Sequence, residues 1–186
     1  MSDLRRLDPA AAGGLLRPAG APARVLLDRN EGGTGPIRVL FVCTGNSARS
    51  QMAEAVLGRL GGTAFDAYSA GTAPKGVHPL TVRALAEIGI DWTAARSKSV
   101  REYLGRSFDY VITVCDAARE ACPVFPGTHA SRHWSFDDPA AAEGPEEERL
   151  AVFRRVLGEV SAMVEPFVGG AQQGVSGGAV ASDPGA

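Results

Sequence analysis

Apolar and polar positions along this chain follow two alternating periods. Runs at Ile37-Arg-Val-Leu-Phe-Val42, at 65–70, at 109–114 and at about 131–134 read as strands, the first and third most plainly because they are apolar and rich in β-branched residues. Between them, apolar residues recur at helical spacing. Met52, Ala53, Val56, Leu57 and Leu60 mark a helix over about 48–61, and Leu150, Phe153, Val156, Leu157, Val160 and Val164 mark another over 146–166. Shorter helices are expected at 79–88, 98–104 and 116–121. This alternation predicts an α/β unit around a parallel sheet, with both long helices packed against it.

The pattern lapses at both ends. Residues 1–35 are rich in Ala, Gly, Pro and Arg, with Pro9, Pro18 and Pro22 interrupting any helix, and they read as a disordered extension. Arg5, Arg6, Arg17, Arg24 and Arg29 resemble a transit peptide only superficially, because Asp3, Asp8 and Asp28 intervene. Residues 169–186 read as a disordered low-complexity tail, which leaves one domain over 36–168.

A formal net charge of −2 over 186 residues gives no general basic surface, so neither nucleic acid nor an anionic membrane is an expected partner. No apolar stretch approaches the roughly 18 residues that span a bilayer, and a cytoplasmic protein is expected. Three cysteines in such a compartment point to catalysis or metal binding rather than to a disulfide framework.

The densest chemistry follows the first strand, at Cys43-Thr-Gly-Asn-Ser-Ala-Arg49-Ser50. A loop between a strand and a helix N-terminus curls its N–H groups around a tetrahedral anion, and the helix dipole faces the same spot. Thr44, Gly45, Asn46, Ser47, Ala48 and Ser50 are therefore candidate oxyanion binders, with Gly45 and Asn46 expected at positive φ. The same field favours an anionic, nucleophilic sulfur at Cys43. Arg49 adds a planar fork for two anion oxygens. The alternative is a Cys43 that is simply an inert, buried strand-end residue.

Cys115 ends the third strand, and Cys122 follows seven residues later across Asp-Ala-Ala-Arg-Glu-Ala, a good helix former. Two helical turns hold them on the order of 10 Å apart, beyond the roughly 7 Å limit for bridged Cα atoms, so a bond between them requires the helix to unwind. Buried strand-end and helix-end cysteines remain the alternative reading. The C-x6-C spacing is not that of a zinc ribbon, and His78, His129 and His133 form no paired motif with it, so no metal is expected. Asp138, restrained by Pro139, is a candidate general acid for a departing oxygen. Asp137 competes with it, and either carboxylate is equally suited to capping a helix.

CTGNSARSQMAEA, YSAGT, the Cys115–Cys122 pair and HWSFDDPA together resemble the thioredoxin-coupled arsenate reductases of the low-molecular-weight protein tyrosine phosphatase superfamily, over about residues 37–167. The resemblance implies a flavodoxin-like three-layer fold with a four-stranded parallel sheet, and a role in arsenic resistance. It implies that Cys43 attacks arsenate, Arg49 binds the oxyanion, Ser50 donates to the thiolate and Asp138 is the acid. Cys115 would then attack the Cys43 adduct and release arsenite, Cys122 would take over the disulfide, and thioredoxin would reduce it. A glutaredoxin or small thiol is the other possible donor. No cofactor is implied, and a monomer is the default.

Two departures stand out. Some relatives bind potassium beneath the loop through residues matching Asn46, Glu54 and Ser69 and an Asp at the position of Lys98; here a fixed ammonium is expected to replace the ion. A phosphatase of this fold would be expected to carry Tyr after the Asp-Pro pair, where this chain has Ala140. Phosphate ester hydrolysis remains the rival activity, since the same cradle and acid serve it. A non-enzymatic thiol sensor is the third reading, and it needs neither Arg49 nor Asp138.

Overall fold

The computed structural model describes residues 35–127 and 130–176. Nearly all of the expected N-terminal extension, His129 and the last ten residues lie outside them. In chain order the elements are β1 (Ile37–Cys43), α1 (Arg49–Gly61), β2 (Phe65–Gly71), α2 (Pro79–Glu87), β3 (Tyr110–Thr113), α3 (Asp116–Ala121), β4 (Ala130–His133) and α4 (Glu146–Ser176). The four strands pair in parallel in the order β2-β1-β3-β4. This is the flavodoxin-like sheet expected from the sequence, and each strand falls within one residue of its expected bounds.

All seven residues of β1 are buried, as befits a parallel strand covered on both faces. Alternation along β2 shows the two layers. Phe65 points to α4, where Phe167 also meets Tyr110 and Trp134 at centroid distances of 5.0 and 5.7 Å. Tyr68 points the other way, onto Phe108 and Tyr103, and Phe108 in turn meets Phe125 at 5.6 Å. Edge-to-face aromatic pairs of this kind add roughly 0.5–1.5 kcal/mol each beyond their buried area. Among the described residues no helix is long and apolar enough to cross a membrane.

Two expectations need correction. The segment 98–104 is not an α-helix but a 3-10 turn at Val100–Tyr103. Ser99 and Glu102 start it with a reciprocal capping box, but Leu104 is already extended at ψ 136° and Gly105 adopts φ 81°, so no second turn follows. The final helix does not stop at 166, nor does a tail begin at 169. α4 runs to Ser176 because its core-facing stripe continues through Val164, Phe167 and Ala171, all buried. Tertiary packing there overrides Gly169 and Gly170, which read as helix breakers in isolation.

The sheet order reverses at β1, where one connection leads to β2 and the other to β3. In open α/β sheets such a switch point opens a crevice at the carboxyl ends of the strands. Cys43 ends β1, and Cys115 lies two residues past β3, whose Thr113 pairs in register with Val42.

Candidate active site

A pocket of about 370 Å³ occupies that crevice. Cys43, Thr44, Gly45, Ser47, Ala48 and Arg49 form its floor and one wall, Cys115, Asp116 and Ala117 a second, and Asp138, Ala140 and Lys75 the rim. The Cys115 side chain faces this pocket, with its Sγ 3.5 Å from Thr44 Oγ1. Cys122 lies elsewhere, half-buried at the far end of α3. Burial pushes its thiol above the ordinary thiol range.

The Cys43 sulfur is buried and receives directed polar contacts. The Asn46 N–H donates to it at 3.1 Å, and Ser50 Oγ lies 2.9 Å away. Because Asn46 Nδ2 donates to Ser50 Oγ at 2.9 Å, the Ser50 proton is free to point at the sulfur. The N-cap of α1 is Ala48, which offers no side-chain cap, so the first-turn N–H groups are left for an anion. Of the expected oxyanion binders, Thr44, Gly45, Ser47 and Ala48 border the pocket, whereas Asn46 and Ser50 lie fully buried beneath it. Only Asn46 has the expected positive φ, at 45°; Gly45 does not.

Asn46 is the keystone beneath the loop. Its side chain donates to Ser50 and Ser69 and accepts from Lys98 N and Gln51 Nε2, while its carbonyl accepts from Ser97 Oγ at 2.6 Å. Gln51, not singled out in the sequence, is fully buried; it bonds Asn46 and Arg96 O through Nε2 and accepts from Trp92 Nε1 at 2.8 Å. Gly71 was legible only as part of YSAGT. A Cβ there would sit 2.6 Å from Thr44 O, so no larger residue fits against the loop.

Lys98 is where the sequence placed a fixed ammonium. Its Nζ lies 2.8 Å from Glu54 Oε2, the same oxygen that accepts from Ser69 Oγ, and both charged side chains are largely buried. Removing one partner of a buried pair leaves the other uncompensated. Lys98→Met is therefore expected to lower stability by about 3 kcal/mol in urea unfolding. The native protein should turn over equally in potassium and sodium salts at matched ionic strength, and stimulation by potassium would refute the replacement.

Arg49 leans across the pocket mouth, bonding Phe136 O at 3.2 Å and Asp138 Oδ2 at 3.1 Å. Of the two jobs left open by the sequence, Asp138 performs the cap: Oδ1 accepts from Ala140 N at 3.2 Å at the start of the short turn Pro139–Ala141, while Oδ2 pairs with Arg49. Asp137 instead pairs with Arg155 on α4 at 3.0 Å, away from the pocket. His78, weighed in the sequence only as a metal ligand, has a structural place beside the loop. Its ring caps α2 and packs on Phe153, and its backbone N–H donates to Ser47 O at 3.0 Å, tying the loop to α2. Burial and the Arg149 guanidinium hold its imidazole below the ordinary histidine value, against an opposing pull from Asp138.

A buried thiol on a strand-to-helix loop at the switch point of a four-stranded parallel sheet defines a class of protein, and residues 38–173 match the model of the low molecular weight phosphotyrosine protein phosphatase family, to which the chain belongs. Its similar relatives include arsenate reductases. That of Halalkalibacterium halodurans is 45% identical over 129 residues, spanning 69% of this chain and 93% of its own. That of Bacillus subtilis is 40% identical over the same length, with the same coverage. Among solved structures, an arsenate reductase in the phosphate binding state superposes with a TM-score of 0.63 at 30% identity, over 72% of this chain and 98% of that one. The thioredoxin-dependent arsenate reductase of Corynebacterium glutamicum gives 0.57 at 25% identity, over 76% of this chain and 64% of that one.

Proposed function

We propose that this chain reduces arsenate to arsenite through Cys43, Cys115 and Cys122, with thioredoxin as the reductant. The observation that carries this reading is that Cys115 faces the same pocket as Cys43, while Cys122 waits at the other end of a six-residue helix. Hydrolysis of a phosphate ester has no use for either. The relatives named arsenate reductases support the same substrate.

In the first step the Cys43 thiolate attacks arsenic, with Arg49 and the α1 N-terminus holding the other oxygens, and Asp138 supplies a proton to the oxygen that leaves as water. Cys115 then attacks Cys43 Sγ. The sulfur–arsenic electron pair goes to arsenic, which departs as arsenite, and a 43–115 disulfide remains. Cys122 attacks Cys115 Sγ next, Cys43 leaves as a thiolate, and thioredoxin returns two electrons to the 115–122 disulfide.

The rival activity uses the same cradle. Ala140 borders the pocket where an aromatic wall for an aryl ester would be expected, so hydrolysis should persist only as a weak side reaction. The deciding measurement is arsenate-dependent NADPH oxidation with thioredoxin and its reductase, set beside hydrolysis of an aryl phosphate. Coupled turnover is expected to dominate; ester hydrolysis alone, with no arsenate-dependent oxidation, would make this protein a phosphatase.

A further inference from the structure

α3 is weakly held for an element at the centre of the relay. Six residues are far fewer than a helix needs to be stable alone, and of its side chains only that of Ala118 is buried. Its first residue is tied down another way. His133 Nε2 lies 2.8 Å from Asp116 Oδ1, and its other ring nitrogen, Nδ1, lies 2.8 Å from Thr113 Oγ1. One tautomer fits both contacts: the Thr113 hydroxyl donates to Nδ1, and Nε2–H donates to the carboxylate. Ser135 Oγ adds a longer bond to the same Asp116 oxygen at 3.4 Å.

The anchor for this chain of bonds is the sheet itself. Thr113 and His133 are register partners at the ends of β3 and β4, so the ring that grips Asp116 is held by two strands. Neither residue borders the pocket, whereas Asp116 directly follows Cys115.

We propose that Thr113, His133 and Asp116 form a latch that keeps α3 wound, and that its release governs the transfer of the disulfide from Cys115 to Cys122. This rests on the relay reading above. In that transfer the Cys122 thiolate displaces Cys43 from Cys115 with no net change of oxidation state. Sulfurs about two helical turns apart cannot bond until the intervening turns open. The first of those turns is fastened by Asp116 to His133 and by Arg119 N to Cys115 O at 3.1 Å. His133 is thus a positioning residue for the second transfer and leaves the first untouched.

The test isolates the two transfers in the full chain. With Cys43→Ser as parent, diamide takes two electrons and two protons from Cys115 and Cys122, and the rate of disulfide formation is followed by mass spectrometry. Adding His133→Ala, Asp116→Ala or both should speed this step about two- to fivefold, the range expected for one exposed polar contact. The double change should equal either single one, because all three remove the same bond. His133→Gln, which keeps an N–H for Asp116, should restore much of the parent rate. In Cys122→Ser protein, arsenate-driven formation of the 43–115 disulfide should be indifferent to His133→Ala. Should that variant fail to fold, Asp116→Ala alone reads the latch, since the carboxylate is 78% exposed. Unchanged diamide rates, additive effects, or slowing of both transfers together would each overturn the latch. A parent that forms no 115–122 disulfide would refute the relay itself and the latch with it.

Discussion

Arg49→Ala is expected to lower kcat/KM for arsenate about 10²- to 10³-fold, the loss typical of removing a preorganised charge from an oxyanion site. Two functions disappear together. The guanidinium lines the pocket, and it also holds the loop of Asp138 through Phe136 O and the carboxylate. Without it an arsenate in the pocket would lack a planar pair of donors, and Asp138 loses its link to the loop after β1. The same variant should still form a 115–122 disulfide with diamide at the native rate, because Arg49 touches neither sulfur in that reaction. Steady-state kinetics in the thioredoxin-coupled assay, beside mass spectrometry of the oxidised protein, make the comparison. A variant that keeps arsenate kinetics within tenfold of native would remove Arg49 from substrate binding.

Cys122→Ser is expected to stop thioredoxin-coupled turnover after a single cycle, with a 43–115 disulfide accumulating. Both of those sulfurs are buried at the lining of the pocket, out of reach of the surface of a protein reductant such as thioredoxin. Undiminished steady-state turnover would exclude Cys122 from the mechanism. Its titration adds a second readout. Burial holds the Cys122 thiol above the ordinary thiol range, so at neutral pH little of the reactive thiolate is present in the wound helix. The rate of the Cys115-to-Cys122 transfer should therefore climb as pH rises through the ordinary thiol range and beyond it. A plateau at neutral pH would show that Cys122 is activated by a neighbour.

Much of the site was legible because its parts are contiguous in the chain. The run from Cys43 to Ser50 is one loop between a strand and a helix, and local pattern alone places a cysteine, a turn before a helix N-terminus and an arginine together there. The helix from Asp116 to Ala121 was legible for the same reason, as was the position of Cys115 at a strand end. Lys98 was readable only beside the family pattern, and the structure puts its ammonium on Glu54.

What stayed hidden depends on contacts between distant segments. Gln51 reads as an ordinary polar helix residue until Asn46, Arg96 and Trp92 close around it. Asp138 and Asp137 are adjacent and chemically identical, and only the approach of Arg49 to one and Arg155 to the other tells them apart. The end of α4 was misplaced because Gly169 and Gly170 signal a break locally, while the burial of Ala171 is decided by the rest of the fold.

By itself, then, the sequence determined the alternation of strands and helices, the anion loop with its cysteine and arginine, and the seven-residue spacing of the second and third cysteines. These follow from periodicity and local backbone chemistry, which act over a few residues. That Cys43 and Cys115 converge was already implied by their places at the carboxyl ends of strands, whereas the tertiary structure alone decided which aspartate meets Arg49 and that His133 reaches across from β4 to hold the first turn of α3. Those are juxtapositions set by strand order and register, and no local pattern encodes which segments the folded sheet brings side by side.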